Sequence, residues 1–386
     1  MTISPTTRVV LALGGAQTLA WASSYYLPAI LARPMAASLG LSTATVFGFF
    51  SASLLLAALL GPWAGRVVDR RGGRVVLLAS NLLFAAGLAM LAAAQGPVTL
   101  GLGWALMGCG MATGLYEAAF ATLAGLFGAA AKTPITGITL IAGFASTLGW
   151  PLSTVMEAEF GWRGACLGWA LLHLLVGLPL QLWLVPAAPP PSVSAPPAVG
   201  TPQPPAPSHA MAVLILFSAA VTLVAGAIGA HLPALLQLSG TTPEQALLAA
   251  SLVGPAQVGA RLLQFGALGG LHPLVLARAA CLAQVVGGLA LLLLGAPAAI
   301  AFVLLFGAGN GIHTIARGTL PLAIFGPAGY GARQGLIAAP GRVMQAGAPV
   351  GFGLLLTAFG AGAVWALVGL SLSALLALFL LRAGPR

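Results

Sequence analysis

Apolar runs of about 20 residues, each long enough to cross the ~30 Å hydrocarbon core of a bilayer as a helix, recur along the whole of this 386-residue chain. Backbone in lipid must satisfy its own N–H and C=O groups, so a run of that length is read as a spanning helix. The chain is therefore expected to be an all-α polytopic membrane protein. Composition agrees, with 59% hydrophobic and 5% charged residues, where soluble domains carry roughly a quarter charged residues. A net charge of +10 would suggest nucleic acid in a soluble protein. In a membrane protein it reflects arginines held on the cytoplasmic side, and no nucleic-acid partner is expected. Cys109, Cys166 and Cys281 fall inside predicted spans and are odd in number, so no disulfide framework is indicated. The start, MTISPTTRVVLALGG, lacks a small-residue cleavage site and is read as the first span, not a removable signal.

Turn and charge punctuation predicts twelve spans, at 9–32, 44–64, 75–95, 99–124, 134–156, 164–185, 210–236, 245–267, 274–294, 297–322, 335–358 and 362–382. Between the sixth and seventh lies PAAPPPSVSAPPAVGTPQPPAPS, with ten prolines in 23 positions. That composition is expected to form an extended or disordered tether. The predicted organisation is a six-helix bundle over 1–185, a Pro-rich cytoplasmic linker over 186–209 and a second six-helix bundle over 210–386. Arg8, Arg66, Arg70, Arg71, Arg74, Lys132, Arg333, Arg382 and Arg386 fall on one side of this scheme, and only Arg33 and Arg163 fall clearly on the other. Both termini and the linker are thus expected in the cytoplasm, in a bacterial inner membrane.

The halves repeat. A shift of 198 residues aligns Gly137, Gly143, Gly149 and Pro151 with Gly335, Gly341, Gly347 and Pro349. With one residue of slack it also aligns GCG at 108–110 with GAG at 307–309. Duplicated bundles around a central site are a layout suited to alternating access.

The turn between spans 2 and 3 reads GRVVDRRGGR, residues 65–74. Physically it is a short loop with a glycine pair, one carboxylate and four arginines, and Asp69 can pair with them or cap a helix N-terminus. The stretch resembles the signature loop of the major facilitator superfamily, Gly-x-Leu-Ala-Asp-Arg-x-Gly-Arg-Arg/Lys. Gly65, Asp69, Arg70, Gly72 or Gly73, and Arg74 match it, with Val68 replacing the usual small residue. The twelve spans, central loop and paired halves resemble the same family. The resemblance implies two pseudo-symmetric six-helix bundles, with Gly65, Asp69, Arg70 and Arg74 forming a conformational latch between helix ends. The matching loop of the second half, GARLLQFGALGGLHP, has Gln264 where the Asp would be. FGWRG at 160–164 and GITLIAGFASTLGWP resemble the monocarboxylate and oxalate/formate exchanger branch. Gln257 and Arg261 stand at a spacing where that branch has an Asp and an Arg.

Five acids serve the whole chain, and Glu117, in GLYEAAFATL, is the one set inside an apolar span. Charges at bilayer depth cost several kcal/mol and usually face a partner or an aqueous path. On span 10, Asn310, His313, Thr314 and Arg317 share one helical stripe, which either glues helices together or lines a path. Gln17, Trp21 and Tyr25 make a stripe on span 1, suited to hydrogen bonding and stacking, or to packing. Arg261 and Gln257 on span 8, and Arg342 with Gln345 on span 11, are further candidates. Glu244 reads as part of a capping box in TTPE, Glu157, Glu159 and Arg163 as an exterior ion cluster, and His173 as a bonded packing residue. The resemblance implies that spans 1, 4, 7 and 10 line a central chamber, where Glu117 and Arg317 would face each other from opposite halves. Burial disfavours the Glu117 charge and a nearby cation favours it, so it is poised either to exchange a proton or to stay in an ion pair.

The chain has no Gly-x-x-x-x-Gly-Lys-Ser/Thr phosphate loop and no residues at metal-ligand spacing. Neither cofactor nor metal is expected, and the chain is not read as an enzyme. Intramembrane arginines outnumber the one intramembrane acid, which favours a small anionic substrate. The expectation is a monomeric secondary transporter for a carboxylate-type anion, coupled to protons or working by exchange. Substrate contacts would come from Arg317, His313, Asn310, Arg261, Gln257, Arg342, Tyr25, Trp21 and Gln17, and proton coupling from Glu117. The alternative is proton-coupled efflux of a hydrophobic or cationic compound.

Overall fold

The computed structural model describes residues 4–187 and 207–382, so nearly all of the expected Pro-rich linker lies outside the described residues. Among the described residues every regular element is a helix. Span 1 comes in two pieces, α1 (Pro5–Ser23) and α2 (Pro28–Leu39). Ser4 caps α1, its hydroxyl accepting from the Thr7 N–H at 3.1 Å. Pro28 opens α2, where a missing N–H costs nothing. Span 2 is α3 (Thr43–Arg71), capped by Ser42, and span 3 is α4 (Gly73–Ala92). Span 4 is split into α5 (Pro97–Gly114) and α6 (Tyr116–Phe127). Span 5 is α7 (Lys132–Ala142) and the first part of α8 (Ala145–Leu172).

α8 turns at Gly161, whose φ of 68° is a conformation that glycine alone adopts freely. The rest of α8, a π-helical turn at His173–Gly177 and α9 (Leu178–Leu184) complete span 6. The second half follows as α10 (Ala210–Leu238), α11 (Pro243–Ser251) with α12 (Val253–Phe265), α13 (Pro273–Leu294), α14 (Ala299–Phe325), α15 (Tyr330–Phe359) and α16 (Val364–Phe379). Twelve spans result among the described residues. They form two compact units, one of Met1–Pro207 with Phe325–Ala339, the other of Ser208–Ile324 with Pro340–Arg386.

In the first unit, α5 packs on both α3 and α4, and α1 on α7 and α8. Small residues set these distances, as expected where lipid supplies no hydrophobic drive between helices. A Cβ on Gly108 of α5 would stand 2.7 Å from the Ser53 carbonyl oxygen of α3. In the second unit the repeat-related Gly307 of α14 makes the same kind of approach, 2.9 Å from the Val253 carbonyl oxygen of α12. The internal repeat thus survives as matched backbone contacts. The second unit's apolar core gathers around Ile228, Phe302 and Val364.

His173 is bonded, as its sequence context suggested. Its Nε2 lies 2.7 Å from the Ser23 hydroxyl and its Nδ1 2.9 Å from Asn81 Oδ1, while Asn81 Nδ2 donates to Gln181 Oε1 at 2.6 Å. This network ties α1, α4 and span 6 together. Two smaller expectations change. The capping box at α11 pairs Thr242 with Gln245, leaving Glu244 in the first turn. Arg163 gives its guanidinium to the Ser38 hydroxyl and the Ala94 carbonyl and lies over the Trp162 ring. Those contacts hold the span 5–6 turn against the neighbouring span ends.

Candidate substrate and proton site

The break in span 4 organises the first unit's polar residues. Leu115 is extended, with ψ −171°, so α5 ends at Gly114 and α6 starts at Tyr116. A break at bilayer depth frees backbone groups that must find partners. Gln17 of α1, fully buried, donates its Nε2 to the freed Gly114 carbonyl at 2.6 Å. Gly114 itself faces α4, where a Cβ would stand 2.6 Å from Ser80 Oγ and 2.8 Å from the Phe84 ring. The close fit to α4 and the bond from α1 hold the break in place. Thr113 adds to the bend by returning its hydroxyl to the Cys109 carbonyl at 2.8 Å.

Glu117 therefore sits in the first turn of a new helix, where the aligned peptide dipoles favour a negative charge. It is half-buried, and it acts electrostatically on Tyr330, the buried first residue of α15. One residue before it, Tyr116 stacks on Phe120 and meets Trp21 of α1 at a ring distance of 5.1 Å. Of the span 1 stripe, Trp21 and Tyr25 lie among rings, while Gln17 serves the backbone of span 4.

In the second unit two arginines are bonded to threonines of neighbouring helices. Arg317 of α14 donates Nη1 to Thr222 Oγ1 of α10 at 3.1 Å. Gly341 of α15 packs on the same threonine, its Cβ position 3.1 Å from Oγ1, and the next residue, Arg342, is buried. Arg261 of α12 is buried and donates Nη2 to Thr314 Oγ1 of α14 at 3.3 Å, while Thr314 gives its own proton to the Asn310 carbonyl. His313 is buried and turns to Cys281 Sγ of α13 at 3.9 Å, edge-on to Phe217 of α10. The Gln257 backbone is the surface on which Gly311 packs.

The turn between α3 and α4 has a definite partner. Asp69 lies in the last turn of α3, the end at which a carboxylate is disfavoured by its own helix. Its two oxygens accept from the Gly331 and Ala332 N–H groups, each at 2.8 Å, in the first turn of α15. Gly65 and Gly331 touch through their backbones, which side chains there would prevent. Arg70 and Arg71 close α3 with the charge its C-terminus favours, and Gly72 turns the chain at φ 81° toward Arg74.

Sequence reasoning placed Glu117 and Arg317 among the candidates but not the partners that position them. Thr222 had a usable signal, since Ser218 and Thr222 lie one turn apart on span 7. Tyr116 and Tyr330, beside Glu117, had none.

The sequence matches the family model described as Major Facilitator Superfamily over residues 13–346. No curated protein matches it significantly. Among solved structures, the chain is similar to the human organic anion transporter MFSD10 (TETRAN), at 18% identity, covering 98% of this chain and all of that one, with a TM-score of 0.73. It is also similar to the transporter FucP in its outward conformation, at 13% identity, 98% and 99% coverage and a TM-score of 0.72. The proton:xylose symporter XylE follows at 14% identity, 96% and 94% coverage and 0.69. The family model takes in most of the chain and the fold is shared end to end, so this protein belongs to the major facilitator superfamily.

Proposed function

We propose that this chain is a secondary active transporter that moves a small organic anion by alternating access, coupled to protons or working by exchange. The observation that carries the reading is the charge of the second unit's interior. Arg261, Arg317 and Arg342 stand on spans 8, 10 and 11, and from residue 208 onward Glu244 is the only acid in the sequence. Thr222 and Thr314 orient two of the guanidiniums. Arg317 would hold the anion, with Arg261 or Arg342 assisting, and Glu117 would carry the coupling proton. The similarity to an organic anion transporter and to a proton symporter supports this reading of a shared fold. Asp69, with Gly65, Arg70 and Arg74 around it, is proposed as a latch, since its carboxylate trades an unfavourable helix end for a favourable one. The placement of Arg/Lys favours cytoplasmic termini.

The test is uptake in proteoliposomes under an imposed pH gradient, with a panel of organic anions and cations. Carboxylate accumulation should follow the gradient, and Arg317→Ala should abolish carboxylate binding. Glu117→Gln should abolish accumulation while leaving exchange, and unchanged accumulation in that variant would remove Glu117 from the coupling step. Gradient-driven movement of lipophilic cations with no carboxylate movement would favour the rival, in which Glu117 beside the Trp21 and Tyr116 rings attracts a cation.

A further inference from the structure

Three of the chain's four tyrosines meet in one place, in the first unit. Trp21 is the hub, with ring centroids 5.5 Å from Tyr25, 6.3 Å from Tyr26 and 5.1 Å from Tyr116. Tyr25 reaches on to Phe50 of α3 at 5.7 Å, and Tyr26 to Trp150 of α8 at 5.8 Å. The contacts are mostly edge-to-face, with interplanar angles of 64° to 86° for Tyr25 on Phe50, Tyr25 on Tyr26 and Tyr26 on Trp150, the arrangement that the ring quadrupole favours. Four spans contribute, so this is no single-helix stripe.

Its location argues against packing alone. Trp21 lies one turn after Gln17 on α1, and Gln17 reaches the span 4 break, so that face of α1 points into the bundle. Tyr116, next to Glu117, is buried, while Trp21, Tyr25, Tyr26 and Phe50 each keep part of their surface open. Two polar atoms on this face remain unanswered among the described residues: the indole N–H of Trp21 and Oε1 of the fully buried Gln17. Buried tryptophan N–H groups usually find an acceptor, and a packing cluster would be built from phenylalanine, which leaves no such group behind. Gln17 is committed through its nitrogen to Gly114, and the cluster presents ring faces as its main contact surface.

We infer that this cluster receives an aromatic ring of the transported molecule, making the substrate an arylcarboxylate-type anion, not a short aliphatic one such as oxalate. The anionic part rests on the reading proposed above; the ring part rests on the cluster alone. The test uses the full chain in proteoliposomes and compares uptake of phenylacetate, cyclohexylacetate and oxalate. Phenylacetate should be preferred over cyclohexylacetate by roughly tenfold in apparent affinity, the scale of one or two aromatic contacts. Trp21→Leu and Tyr25→Leu should bring that ratio to within about twofold, while Trp21→Phe keeps most of it, which a general loss of folding would not do.

Equal uptake of phenylacetate and cyclohexylacetate, or a ratio unchanged in Trp21→Leu, overturns the ring inference while leaving anion transport standing. Benzyltrimethylammonium serves as the opposite arm. If it is moved and depends on Trp21 while no carboxylate is, the ring site stands and the anion reading falls.

Discussion

Spans 4 and 10 are matched by the internal repeat and pack alike on their neighbours, through Gly108 and Gly307, yet they differ one turn further on. Span 4 breaks at Leu115, whereas α14 runs unbroken from Ala299 to Phe325. With the one-residue slack of the repeat, Gly114 aligns with His313, and Glu117 with Ala316, next to Arg317. Gly114 lets Ser80 and Phe84 of α4 come close, and Gln17 satisfies the carbonyl freed there. The difference teaches how two charges are held at bilayer depth. Glu117 sits on a new helix N-terminus, whose dipole favours the carboxylate. Arg317 has no such end beside it and is oriented by the hydroxyl of Thr222. The helix end therefore acts on Glu117 alongside burial, and it stabilises the charged form.

The largest expected effect separates a broken helix from a continuous one. Ala316→Pro should destabilise α14 by about 3 kcal/mol or more, through a lost hydrogen bond and a ring clash. The matched Glu117→Pro, in the first turn of α6, should cost less than half as much, because its N–H needs no partner within that helix. Thermal unfolding in detergent measures both, and equal losses would mean that span 4 is not broken in solution. Next comes Gly114→Val, which forces a side chain into Ser80 and Phe84 and should cost roughly 2–3 kcal/mol. A variant as stable as wild type would show that the two helices are not held at that distance.

Gln17→Leu removes the brace and leaves the Gly114 carbonyl without its buried partner, for a loss of about 1–2 kcal/mol. If its only effect were on substrate affinity, with stability intact, Gln17 would belong to the substrate contacts instead. The smallest effect is expected on span 10. Thr222→Val takes the orienting hydroxyl from Arg317 and should raise the apparent KM for anions about fivefold, equivalent to one modest hydrogen bond of about 1 kcal/mol. Uptake kinetics check this, and no change would place Arg317 away from the substrate.

Much of the fold was legible because its signals are local. Runs of apolar residues, the Gly65–Arg74 loop and the proline-rich stretch each declare themselves within a few dozen residues. Asp69 could be assigned to a helix end from its loop alone, but not to the Gly331 and Ala332 amides, which lie more than 250 residues away in sequence. The break at Leu115 was not legible, because no proline marks it and other glycines of α5 stay helical. What distinguishes Gly114 is what faces it from α4 and α1. The partners of the span 10 stripe were hidden for a related reason: helical spacing puts His313 beside Asn310 and Arg317, but only packing sets it against Cys281 and Phe217.

By itself the sequence determined that this chain crosses the membrane many times, that its halves repeat, and that one acid and a few arginines lie at bilayer depth. Those properties follow from hydrophobicity and charge along the chain, which solvent and lipid read residue by residue. Only the tertiary structure decided which of those residues are tied to the backbone, as Gln17 is, and which are oriented by a hydroxyl, as Arg317 is. It also decided that three tyrosines and a tryptophan converge beside Glu117. Hydrogen bonds and ring contacts act over a few ångströms between helices, and those distances are set when the helices pack.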